Sequence, residues 1–144
     1  MNLLAVFAWE MLGFFFLAFL ERTVEGEHGG AEATYGWRKS VLGYSLKEYH
    51  FWLWYVVVPI FVLSPLVAYG FDTHLLGTVA DAYLLGGILE DFTYFAVNPY
   101  YGLKKWNRAG APWMSWVSVR GFEVPVFYLR NAAAALVLWL LLVK

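Results

Sequence analysis

LLGTVADAYLLGGILEDFTYFAV, residues 75–97, is apolar over the length of a membrane crossing and yet carries Asp81, Glu90 and Asp91. A bilayer core about 30 Å thick takes roughly 20 residues of helix. Backbone polar groups there have no water to bond, so the segment must satisfy them internally as a helix. An ionisable side chain in such a helix must face protein, water or a partner. The stretch therefore predicts a membrane helix whose polar side chains look inward.

Three further segments have the same character: residues 3–20, 51–70 and 124–143, the last interrupted by Arg130 and Asn131. Pro59 and Pro65 should bend the second, since proline removes a helical hydrogen bond. The first span carries Glu10, lacks a basic leader and ends in Glu21-Arg22 without a small-residue cleavage site, so it reads as a retained span. With 61% hydrophobic, 21% aromatic and 15% charged residues in 144, the composition needs lipid as solvent. The expected fold is all-α: one transmembrane domain, residues 1–144, forming a four-helix bundle. The absence of cysteine excludes thiolate nucleophiles, disulfides and iron-sulfur clusters. A net charge of -1 excludes a nucleic-acid footprint.

Arg22, Arg38, Lys39 and Lys47 lie between spans one and two, and Lys104, Lys105, Arg108 and Arg120 between spans three and four. The short link at Asp72 and His74 has no Lys or Arg. By the positive-inside rule both long loops are cytoplasmic and the topology is N-out, C-out. Trp37, Tyr44, Tyr49, Trp52, Tyr100, Trp106 and Trp113 crowd that side, which makes residues 42–49 and 103–119 interfacial segments against membrane lipid.

At 100° per residue, Glu10 and Glu21 fall on one face of helix one, and Glu90 points opposite to Asp81, so Glu90 and Asp91 need different partners. Glu21, His50, Glu90, Asp91, Asn98 and Arg130 share one layer near the cytoplasmic edge. An interhelical pair of Arg130 with Asp91 or Glu90 would account for one carboxylate, leaving the other and a histidine unexplained. Glu25-Gly26-Glu27-His28 has the Glu-x-x-His spacing of carboxylate-bridged metal bundles, although its glycines favour a loop, and a solvated acidic loop is the more frequent meaning of such a run. With His50 and Glu90 or Asp91 added, nitrogen and oxygen ligands would suit zinc, iron or manganese. A bis-histidine haem is not expected, because His50 and His74 lie on opposite membrane faces. Arg38 is the candidate for holding an anionic headgroup, and Pro99 should loosen the helix at Asn98 and expose carbonyls. No Gly-x-Ser-x-Gly, P-loop or His-Glu-x-x-His motif occurs, which leaves enzymatic activity open.

The run Glu90-Asp91-Phe92-Thr93-Tyr94-Phe95-Ala96-Val97-Asn98-Pro99, with Glu25-Gly26-x-His28-Gly29, Trp37-Arg38 and His50, resembles an uncharacterised family of small prokaryotic multi-span membrane proteins. Gly30 and Ala31 stand where that pattern leads one to expect tryptophan. The resemblance implies a prokaryotic cytoplasmic membrane and one shared polar site, and brings no activity with it.

The leading expectation is a metal site of Glu25, His28, His50, Glu90 and Asp91, with Arg38, Asn98 and Arg130 toward an anionic or lipidic ligand. A proton or cation pathway through Glu10, Glu21, Asp81 and Asp91, lined by several subunits, is the second. A non-catalytic subunit of a membrane complex is the third.

Overall fold

The computed structural model describes residues 1–41 and 44–144. Helix α1 (Leu3–Glu25) starts where Asn2 Oδ1 accepts from the Ala5 amide at 3.1 Å, and stops at Gly26, whose φ of 57° suits a residue without a Cβ. Its buried residues are Glu10, Phe14, Ala18, Glu21 and Glu25, one stripe at spacings of three and four. Leu4, Trp9, Leu12, Phe15 and Phe16 point outward. The pattern inverts that of a soluble helix, with carboxylates inside and apolar surface outside, as a helix solvated by lipid requires.

The next helical stretch runs from α2 (Glu48–Trp52) through a π-helical turn at residues 53–57 into α3 (Val58–Tyr69). The wide turn sits just before Pro59, which cannot donate a backbone bond and crowds the preceding turn. Within it the Trp54 carbonyl accepts from the Tyr83 hydroxyl at 3.0 Å. Helix α4 (Thr73–Val97) is capped by Asp72, whose Oδ1 accepts from the Leu75 amide at 2.8 Å. It ends before Asn98-Pro99, with Asn98 extended, as the restriction on the residue before proline predicts. Helix α5 (Val126–Leu138) continues into a second π-helical turn at residues 139–143.

Three of these stretches, Leu3–Glu25, Glu48–Tyr69 and Val126–Val143, are long and apolar enough to cross a membrane, which marks the chain as a membrane protein. Of the four spans expected, the one at residues 75–97 is too polar to belong to that group. Helix α4 is instead the centre of the fold: α1, α3 and α5 all pack on it, and its buried residues are spread around its circumference. Small residues permit the close approach. A Cβ added at Gly86 would lie 2.1 Å from Phe14 Cδ2, and one at Gly77 would lie 2.8 Å from Leu142 Cβ.

The fold is mostly helical, and the loops add two small sheets to it. Two short antiparallel hairpins form, β1 (Arg38–Val41) with β2 (Tyr44–Lys47), and β3 (Trp116–Val119) with β4 (Phe122–Pro125). Of the expected interfacial segment 42–49, Leu42 and Gly43 lie outside the described residues, while the remainder forms β2 and the start of α2. Segment 103–119 holds a single 3-10 turn, Leu103–Lys105, and ends in β3. The last helix begins at Val126 rather than 124, because β4 occupies Phe122–Pro125. Trp113 reaches across to the first loop, where a Cβ at Gly30 (φ 68°) would meet its ring at 2.8 Å. Phe95, Tyr101 and Trp113 form one aromatic group there. Trp113 therefore packs on Gly30 itself, and the Tyr101 hydroxyl accepts from the Gly29 amide at 2.7 Å.

Candidate metal centre

The last turn of α1 carries two glutamates four residues apart, Glu21 and Glu25, which helical geometry stacks on one face. Helix α2 brings His50 to the same place. His50 Nε2 lies 3.0 Å from Glu25 Oε1 and 4.0 Å from Glu21 Oε1. One ligand atom from each of the three residues falls within 4.8 Å of the other two. Four ligands at the usual zinc bond lengths of about 2.0–2.2 Å sit roughly 3.4 Å apart, so small side-chain shifts would bring this set onto one ion. Both glutamates are buried and His50 is half-buried.

Surrounding groups fix the set. Glu25 Oε2 accepts from the Gly30 amide at 2.9 Å, and Trp54 Nε1 donates to Glu21 Oε1 at 3.3 Å. From α4, Glu90 comes within hydrogen-bond reach of Glu21, and its Oε1 is buried without a partner among the described residues. The hydroxyls of Tyr49 and Tyr94, also buried and unpartnered among the described residues, stand beside the carboxylates. No Lys or Arg among the described residues pairs with Glu21, Glu25 or Glu90. Three buried carboxyl groups and one imidazole thus converge, among the described residues, without a lysine or arginine paired to them. Buried carboxylates are stable only when paired, protonated or bound to a metal, so this cluster calls for a cation, as a metal ion or as protons.

The cluster lines one wall of a cleft of about 560 Å³, whose other walls include Tyr83, Asp91, Phe127, Arg130 and Asn131. The expected partners of the α4 acids resolve as follows. Asp91 Oδ2 accepts from the Tyr128 hydroxyl at 2.8 Å. Arg130 donates from Nε and Nη2 to Asn131 Oδ1, each at 3.3 Å, and pairs with neither Asp91 nor Glu90. Asp91 thus meets Tyr128 of α5, while Glu90 lies beside Glu21 of α1.

No family model matches this chain, and no curated protein or solved structure matches it significantly.

The remaining sequence candidates are not among the three clustered ligands and make other contacts. The exposed His28 imidazole stands 3.7 Å from Glu27 Oε1. Arg38 pairs with Glu32, Nη1 to Oε2 at 2.9 Å, and also donates to the Glu32 carbonyl. Glu32 in turn binds the buried Lys47, whose ammonium also donates to the Gly30 carbonyl. Asn98 is fully buried and ties two loops together: its Nδ2 donates to the Gly26 carbonyl at 3.0 Å, and its Oδ1 accepts from the Tyr100 amide at 2.9 Å. Glu10 and Asp81 lie nearer the starts of α1 and α4, both buried. Neither Glu10 carboxylate oxygen has a partner among the described residues.

Glu21 as a member of this set is what sequence reasoning missed. Glu25 reads as a loop residue paired with His28 when the first helix is ended at Leu20. The signal was present in Glu21-x-x-x-Glu25 followed by Gly26, a pair on one helical face closed by a C-terminal glycine.

Proposed function

We propose that this protein is an integral membrane metalloprotein that holds one divalent ion, zinc, iron or manganese, through Glu21, Glu25 and His50, with Glu90 beside them. The observation that carries the reading is the approach of three ligand atoms within 4.8 Å of one another among buried acids that no Lys or Arg neutralises among the described residues. The donor set, two or three carboxylate oxygens and one imidazole nitrogen, suits these metals. An ion there would supply Lewis acidity or an activated water. The adjoining cleft, walled by Trp54, Tyr55, Tyr83 and Phe127 and carrying Arg130, takes an amphiphile or lipid.

On this reading α4 crosses the membrane as the polar centre of a four-helix bundle, sheathed by the three apolar stretches. The termini lie outside and the metal at the cytoplasmic edge of a prokaryotic membrane. The uncharacterised family resembled in sequence would share the site.

The test is elemental analysis of detergent-purified protein, free of added chelator, beside Glu25→Gln, His50→Ala and His28→Ala variants matched for helical content. The reading expects near-stoichiometric metal in the parent and in His28→Ala, with loss in the other two. Metal-free parent protein that also fails to take up added zinc, iron or manganese refutes it.

A second reading, proton or cation passage, draws on Glu10, whose buried carboxyl lies on the same stripe as Glu21 without a partner among the described residues. Flux in proteoliposomes abolished by Glu10→Gln supports it, and no flux from the parent protein rejects it.

A further inference from the structure

A second cavity, of about 520 Å³, lies between α1 and α5 with α4 as its floor, well away from the metal cluster. Its walls are almost wholly apolar: Leu3, Leu4 and Phe7 on one side, Ala135, Leu136 and Trp139 on the other. Among the described residues, Asp81 is the one ionisable residue in the lining. It is 5% exposed, and its Oδ1 has no hydrogen-bond partner among the described residues. Thr78, one turn earlier, spends its hydroxyl hydrogen on the His74 carbonyl at 2.8 Å, so toward the groove it can only accept.

We infer that this groove binds a membrane-soluble amine, an apolar chain bearing one ammonium group, with Asp81 as its counter-ion and the Thr78 hydroxyl as an accessory acceptor. Charge complementarity selects the occupant. A hydrocarbon tail alone fills the walls and leaves a buried carboxyl without a donor, which is costly in lipid. An anionic amphiphile is repelled. A cation supplies the donor and neutralises the charge together, and charge-assisted bonds are the stronger kind. The volume lies within the range of small-molecule sites, about 300–1,000 Å³. The run Ala132–Ala135 keeps the α5 wall low, so that a chain enters sideways from the bilayer.

The test is photolabelling in nanodiscs with a diazirine-bearing dodecylamine and with the matching dodecanol, the labelled positions read by peptide mass spectrometry. The amine should label Phe7, Leu136 and Trp139 above other lipid-facing residues, and Asp81→Asn should lower that labelling roughly tenfold, the loss of one charge-assisted bond. Ala132→Leu, which fills the groove and leaves the carboxyl in place, should lower it as well. Dodecanol should label these positions weakly and equally in the parent and Asp81→Asn. The inference is overturned by amine labelling spread evenly over the lipid-facing surface, by equal labelling in the parent and both variants, or by dodecanol labelling the groove as strongly as the amine.

Discussion

The imidazole of His50 and the carboxylate of Glu25 meet at 3.0 Å, Nε2 to Oε1, joining the first turn of α2 to the last turn of α1 across the whole first loop. Glu25 also holds the Gly30 amide through its other oxygen, so the acid is aimed by backbone as well as by imidazole. Replacing either residue should weaken zinc binding by more than the roughly 10–100-fold that outer-sphere changes cost, whereas His28→Ala should leave it unchanged. Competition against a metal-buffered fluorescent chelator measures this directly. Equal affinity in all three variants would remove the cluster from consideration as the binding site.

Phe14 lies over Gly86, and this contact sets how closely α1 approaches the central helix. Gly86→Ala places a Cβ 2.1 Å from the Phe14 ring, so the helices must separate, a cost of about 1–3 kcal/mol. At the neighbouring Gly87 the new Cβ meets nothing nearer than Trp54 Cζ3 at 3.8 Å, and the same substitution should be neutral or slightly stabilising. Thermal unfolding in detergent compares the two. Similar losses in both would mean that the contact does not govern the packing.

Tyr128, rather than Arg130, is the partner of Asp91. Tyr128→Phe leaves the carboxyl without its 2.8 Å bond and should cost about 1–3 kcal/mol. Arg130→Gln removes a cation whose hydrogen bonds among the described residues all go to Asn131, and should change stability by less than about 0.5 kcal/mol. Denaturation of both variants in the same detergent decides the point, and the reverse order would restore the Arg130 ion pair.

The first loop should confer a dependence on acid. The Lys47 ammonium and the Arg38 guanidinium bond to Glu32 and hold its carboxyl below the usual carboxylate range. Because the folded value lies below the unfolded one, the stabilisation is complete above the unfolded range and is lost as pH falls through the folded value. The melting difference between the parent and Glu32→Gln should therefore shrink on acidification. A difference that stays constant from neutral pH to well below the carboxylate range contradicts this.

The helices at residues 3–20 and 51–69, and the last one from Val126, were recognisable from apolar length, because lipid leaves the backbone no alternative, and the helix at 75–97 was legible despite its acids. The end of α4 was legible too, since Pro99 acts on its immediate neighbour. Local chemistry also placed Glu10 and Glu21 on one face, which the α1 stripe reproduces. Hairpin β3–β4 was not legible: an aromatic, basic loop reads as interfacial whether or not it pairs, and the pairing of Trp116 with Pro125 is a non-local choice.

What the sequence by itself determined is the solvent of this protein and the expense of its buried charges, because both follow from residue type and helical period. Only the tertiary structure decided which charges meet. A helical wheel supplies a direction but no neighbour, so it could not show that the first helix runs on to Glu25 and delivers both glutamates to His50. Nor could it show that Tyr128 takes Asp91 while Arg130 turns to Asn131, or that α4, which carries Asp81, Glu90 and Asp91, stands at the centre. Those outcomes depend on the close approach that Gly86 and Gly77 allow and on the turn at Gly26, where contacts between segments distant in sequence outweigh local preference.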